Sequence, residues 1–345
     1  MFVTKDSTYC CFSEQGETQL PSNDEINDII LSEIEPVIFL DSCVCLHIIK
    51  VVDYGRNAKN IDLGKIIELK EYLAKHPNIK ISPFFALLEL CGKDAALDET
   101  KLWDFKSRID FFEQIPVKVF KRFTYDYTRD YLTLNRSGKL NNPYKAIEPL
   151  LKNSYCAVLK IRSLAIKSLT KATAEKNLNC FLDWMVEELD SVRAIEYKLA
   201  MNIFGGNTVF RKMIGLDSKH SEIRKVLLGT CWDIFHSKHT ANSFRLFNML
   251  QRNIRPFFLT SDANLFNIFR QFSLTLIKDG GDNFVSSFIL NSDFSIPHLD
   301  NDFVDRQNEK MMNIFVDRRN LVYNFDEIKV NELIINLEKE NGVCL

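Results

Sequence analysis

With 345 residues, 46% hydrophobic and 26% charged, the chain has an ordinary globular composition, and its length predicts about two domains. Its 44 Lys and Arg against 46 Asp and Glu leave a net charge of −2, so bulk charge selects no partner. A run of about 18 uncharged apolar residues, the minimum for a membrane-spanning helix, occurs nowhere. The start MFVTKDSTYCCFSEQGE has neither the basic opening nor the apolar stretch of a secretion signal. The nine cysteines, an odd number, are scattered without a C-x-x-C pair. Reduced core thiols and a cytoplasmic setting are therefore expected, rather than a zinc ribbon or a disulfide scaffold.

Residues 1–35 hold eight acids against one lysine and read as a peripheral acidic arm with one short helix near 25–34. Pro36-Val-Ile-Phe-Leu-Asp41 is a continuous apolar run closed by an acid, the pattern of a buried parallel strand. Helical spacing follows from Ser42, and again over about 61–75 with Leu63, Ile66, Ile67 and Leu73 as its apolar stripe. Ile79-Lys80-Ile81-Ser82 reads as a second strand, and Pro83 suits the first position of the helix after it. This strand–helix alternation is the grammar of a parallel sheet with helical crossovers.

From about 95 to 222 the period is helical throughout, broken most clearly at Gly205-Gly206, and helical spacing resumes from Ser221 to Met249. Pro256-Phe-Phe-Leu-Thr260 is a third strand, with a short helix to about Phe269. Phe272 to Ile277 is a fourth strand ended by Gly280-Gly281, and a terminal helix is expected over 326–340. Two strands near 40 and 80 are too few for a sheet of their own. The expected fold is therefore α/β, a parallel-sheet domain interrupted by an all-helical insertion. Its parts are an arm over 1–35, the α/β domain over 36–95 and 220–290, the insertion over 96–219, and a C-terminal extension over 291–345.

Four acids stand out against this frame. Asp41 ends the first strand and Asp262 follows the third, while Glu89 and Asp233 lie on helices in apolar surroundings. Side chains at the carboxyl ends of parallel strands converge on one crevice. Four carboxylates there would repel one another strongly unless hard divalent cations, Mg²⁺ or Mn²⁺, neutralised them. Such ions activate water and stabilise a leaving oxygen, which points to phosphodiester hydrolysis. The plainer alternatives are that Asp41 and Asp262 cap the helices after them, and that Glu89 and Asp233 are ordinary helix residues. His236, three residues beyond Asp233 on the same helical face, is placed to orient a carboxylate or touch substrate.

Ile38-Phe39-Leu40-Asp41-Ser42, Ser82-Pro83-Phe84-Phe85-Ala86-Leu87-Leu88-Glu89, Cys231-Trp232-Asp233-Ile234-Phe235-His236 and Phe258-Leu259-Thr260-Ser261-Asp262 resemble, in this order, the motifs of PIN-domain nucleases. The resemblance covers about 35–95 and 220–280. It implies a parallel sheet between helices, a metal-dependent endoribonuclease acting on single-stranded RNA, and Asp41, Glu89, Asp233 and Asp262 as the catalytic, metal-binding acids, with Thr260 orienting the last. Cys43 stands where that family often has asparagine, and the long helical segment separates the second acid from the third. A structure-specific DNA nuclease, and a PIN-like RNA-binding or scaffold module without chemistry, remain the alternatives. A toxin or defence effector held by a regulatory protein partner is also compatible with the chain.

The segment 117–172 concentrates twelve Lys and Arg against three acids, interleaved with Phe120, Phe123, Tyr125, Tyr127, Tyr131, Tyr144 and Tyr155. Cations that track phosphates beside rings that stack on bases suit a nucleic acid, RNA before DNA. Lys121, Arg122 and Arg129 are the expected phosphate contacts. A solvated helix face with the tyrosines packed beneath it is the plainer reading of the same segment.

Overall fold

The computed structural model describes residues 9–13, 16–93, 96–130, 144–262, 265–266, 272–278, 284–290, 296–318 and 325–343. It is an α/β structure that divides into two compact units, residues 1–145 with 236–289 and residues 146–235 with 290–345. These divisions differ from the expected ones: the helices just after residue 96 belong with the sheet, and the C-terminal extension belongs with the helical unit. Among the described residues, no helix is long and apolar enough to cross a membrane.

The first unit opens with β1 (Cys10–Ser13) and β2 (Gly16–Thr18), then α1 (Asn23–Leu31), β3 (Glu35–Leu40), α2 (Ser42–Tyr54), α3 (Leu63–Lys75), β4 (Lys80–Ser82) and α4 (Phe84–Cys91). A two-residue hairpin follows, β5 (Gly92–Lys93) with β6 (Ala96–Leu97), and then α5 (Glu99–Gln114), α6 (Val117–Arg122) and α7 (Tyr127–Asp130). α8 (Tyr144–Lys167), α9 (Ala174–Glu187), α10 (Ala194–Phe204) and α11 (Ile223–His239) carry the chain through the second unit. α12 (Ser243–Leu250), β7 (Ile254–Thr260), β8 (Phe272–Lys278) and β9 (Phe284–Leu290) return it to the first. α13 (Asn301–Arg318) and α14 (Glu327–Glu340) close the second unit.

The main sheet has the order β2-β1-β7-β3-β4. β7, β3 and β4 are parallel, with Phe39 opposite both Phe258 and Ser82, and Leu40 opposite Leu259. β1 runs antiparallel to β7, so the sheet is mixed rather than parallel. The acidic arm is thus not peripheral. Cys11 and Phe12 are fully buried in the sheet interior, because Tyr9-Cys-Cys-Phe12 is an apolar run short enough to be hidden by its charged flanks. The expected fourth strand forms at 272–278 but pairs with β9 in a separate two-stranded sheet. The helical period over 221–249 is broken at Asn242, whose side chain caps α12. The 18-residue α13, in a stretch read mainly as loop, was not foreseen. Gly280-Gly281 lies outside the described residues.

In the second unit α10 is buried on every side from Ile195 to Phe204, the signature of a helix at the centre of a helical unit. Two charges are buried with it. Glu196 accepts from Arg193 Nε at 2.6 Å and from the Ser154 hydroxyl at 2.7 Å, so its charge is satisfied. Lys198, only 4% exposed, faces the thioether of Met201 at 3.9 Å, a weak acceptor. Burial lowers its pKa from 10.5 to about 8. The folded amine therefore titrates near 8 and the unfolded one near 10.5. Stability is highest above 10.5 and falls, by about 3 kcal/mol in all, as the pH drops to 8 and below. Lys198→Met is expected to restore most of that at pH 7, read as a higher urea midpoint by tryptophan fluorescence, since Trp184 and Trp232 both lie in this unit. An unchanged midpoint would contradict the burial of a charged amine.

Candidate functional site

The site begins at the carboxyl end of β3. The chain leaves the sheet at Asp41, which caps α2 by accepting the Ser42 N–H on Oδ1 at 2.7 Å. The register that sets Leu40 beside Leu259 brings Thr260 against it, and the Thr260 hydroxyl donates to Asp41 Oδ2 at 2.6 Å. Cys43 donates its thiol proton to the same oxygen at 2.8 Å. Three donors thus hold a carboxyl group that is 4% exposed, so its oxygens are hydrogen-bonded although buried. Burial, with Asp41 beside it, pushes the Cys43 thiol well above its usual range, so it acts as a donor and not as a nucleophile.

β4 pairs with β3 and hands the chain through Pro83 to α4, a helix too apolar to face water: Phe85, Ala86, Leu87, Leu88 and Cys91 are buried. Glu89 is its one charged residue. Its Oε2 lies 3.2 Å from Nε2 of His236, on the last turns of α11. The His236 ring is 1% exposed and stacks on Phe258 of β7, with centroids 5.2 Å apart. Burial raises the Glu89 pKa, and the Asp41 charge adds to this; His236 and the Ser42 hydroxyl work the other way.

Asp41, Glu89 and His236 each bring one ligand-type atom to within 4.8 Å of the others. Among the described residues this three-membered group holds two of the four expected acids, joined by the imidazole. Asp262 is not a member. Its Oδ1 accepts the Leu265 N–H at 3.2 Å, and its backbone N–H donates to Thr260 Oγ1 at 2.9 Å, so it caps the turn after β7 just as Asp41 caps α2. The threonine thus holds the side chain of Asp41 and accepts from the backbone of Asp262. Asp233 is not a member either; it is half-buried on α11, within the second unit. Of the four expected acids, Asp41 and Glu89 are those that the tight group contains, together with His236.

Removing the Thr260 hydroxyl should be felt at Asp41. Thr260→Val is expected to cost about 1–3 kcal/mol, because a buried charged oxygen loses a donor. It should also weaken divalent-cation binding by roughly 10- to 100-fold, as loss of a partner behind a ligand does. Urea unfolding and a Mn²⁺ titration measure the two effects; a variant like wild type in both would show that the threonine does not hold the acid.

The basic segment is divided between the two units. In the first, Lys121 pairs with Glu71 and Arg122 is exposed, while the side chain of Arg129 and the whole of 131–143 lie outside the described residues. In the second, α14 lies along α8: Lys152 reaches Glu327 at 2.8 Å, Tyr155 donates to Glu338 at 2.8 Å, and Ser163 donates to Glu340 at 2.6 Å. Phe120 and Tyr155 are core residues, and the hydroxyls of Tyr125 and Tyr127 bond Val51 and Ser107. The described aromatic residues of the segment are largely occupied by packing.

Comparison with protein-family models, with curated protein sequences and with solved structures gives no match for this chain.

Proposed function

We propose that the chain is a divalent-cation-dependent nuclease of PIN-like type that hydrolyses single-stranded RNA, with Asp41, Glu89 and His236 as the cation ligands. The observation that carries this reading is the convergence of two carboxylate oxygens and an imidazole nitrogen within 4.8 Å, at the carboxyl end of parallel strands. The donor set fits a divalent cation, which would offset the burial of Glu89 and its repulsion by Asp41, the two causes that raise its pKa. Nitrogen among the ligands favours Mn²⁺ over Mg²⁺, which prefers oxygen alone. A bound cation would supply Lewis-acid polarisation of the phosphate and acidify a water.

The chain's own residues set the stage for that chemistry. Ser42, Cys43 and Thr260 fix the Asp41 carboxylate, and Phe258 fixes the plane of His236 beside Glu89. Arg122 on α6, exposed in the same unit, is available to the phosphate backbone. A second reading, a PIN-like module that binds RNA without cutting it, draws on the Glu89–His236 contact, in which Nε2 can donate to the carboxylate with no cation present. Matched RNA and DNA strands incubated with Mn²⁺, Mg²⁺ or chelator decide between them. Cleavage of RNA that depends on Mn²⁺ supports the nuclease; equal binding with and without cation and no cleavage supports the module.

A further inference from the structure

A cleft of about 540 Å³ opens beside Asp41 in the first unit, lined by Tyr9, His47, Asn60, Asp62 and Ser261 together with Ile61 and Leu63. Its walls come from four places in the chain: the residue before β1, the middle of α2, the connection into α3, and the residue after β7. Ser261 ties it to the candidate cation site, donating from its N–H at 3.3 Å and its hydroxyl at 3.1 Å to Cys43 Sγ, which in turn donates to Asp41. Tyr9, only 1% exposed, shares a 2.5 Å hydrogen bond with Nδ1 of His47, and the two rings meet edge to face with centroids 5.8 Å apart. A buried phenol locked to an imidazole gives the cleft a rigid aromatic wall.

The volume is that of a small-ligand site. The described lining contains no lysine or arginine, so those residues offer a phosphate no cation. It offers aromatic edges, an amide, a hydroxyl and one carboxylate, the functional groups that read a nucleobase. Asp62 accepts and cannot donate when ionised. It therefore suits a base edge that presents an exocyclic amine, as adenine, cytosine and guanine do, and opposes the carbonyl oxygens that flank the ring N–H of uracil.

We propose that this cleft seats the nucleobase adjoining the phosphodiester held at Asp41, and that Asp62 selects amino-bearing bases over uracil. The assignment rests on the nuclease reading for its neighbouring phosphate, but base binding can be measured without any cleavage. The experiment titrates the full chain, without cation, with AMP, CMP, GMP and UMP and follows binding by calorimetry, in wild type and in Asp62→Asn. Asparagine keeps the cap that Asp62 provides to Lys65 N–H at the start of α3, so the local fold is preserved.

Wild type should bind the three amino-bearing nucleotides roughly tenfold or more tightly than UMP, the size of one good base-edge hydrogen-bond pair. Asp62→Asn should erase that preference, and His47→Ala should weaken all four nucleotides alike. Equal binding of UMP by wild type, or a preference that survives in Asp62→Asn, overturns the assignment. The expected preference in a protein that cleaves no RNA supports the cleft and counts against the nuclease reading; RNA cleavage by a protein without the preference does the opposite.

Discussion

Asp41→Asn is expected to lower kcat/KM for cation-dependent RNA cleavage by about 1000-fold or more, close to 4 kcal/mol of transition-state stabilisation, while the fold persists. The substitution removes one charge and turns the oxygen to which Thr260 and Cys43 both donate into an amide donor. Asparagine is as good a helix cap as aspartate, so the bond from the Ser42 N–H survives. The Thr260 hydroxyl can turn to accept from the new amide, since a hydroxyl both donates and accepts. What is lost is an anionic ligand in a group of three, leaving Glu89 and His236 as a poor divalent site. Initial rates on single-stranded RNA with Mn²⁺, beside a thermal melt, measure the two sides. Cleavage within about tenfold of wild type would remove Asp41 from the proposed chemistry.

Phe12→Ala is expected to destabilise the first unit by about 3–5 kcal/mol, the cost of emptying a fully enclosed phenylalanine site. Phe12 is 0% exposed, pairs with Phe258 across the β1–β7 ladder, and meets Phe266 at 5.7 Å between ring centroids. Its register partner Phe258 also carries the His236 ring, so the cavity would open behind the candidate site. Chemical denaturation gives the magnitude, and a loss under about 1 kcal/mol would mean that the first strand is not part of the core. A peripheral acidic arm would tolerate the same change at little cost.

That contrast shows where reading the chain falls short. Net charge over 1–35 suggested a solvated arm, yet four consecutive residues, Tyr9 to Phe12, decide the matter because a strand needs few residues to be buried. Their edge is completed by β7, some 250 residues away, and no local signal announces a partner at that distance. The strand at 272–278 teaches the same lesson in reverse: its composition reveals a strand, but not which sheet it joins. On α8 the basic residues were legible and only part of their neutralisation was: Lys152 meets Glu148 on its own helix, but also Glu327, and Lys167 meets Glu340, both on α14. The cleft residues Tyr9, His47 and Asp62 carried no site signal beyond a helix-capping acid before Leu63.

By itself the sequence determined the α/β class, the parallel pair at 36–40 and 80–82, the helices that follow, and Asp41 and Glu89 as acids in apolar surroundings. Each follows from local rules: continuous apolar runs, a capping side chain, a proline at a helix start. Only the tertiary structure decided which carboxylate His236 meets, and that it meets Glu89 rather than its helix neighbour Asp233 within the tight group. The two partners in the Glu89–His236 contact stand 147 residues apart. Spacing along a helix can say which residues share a face, but what that face meets is set by the packing of the whole unit.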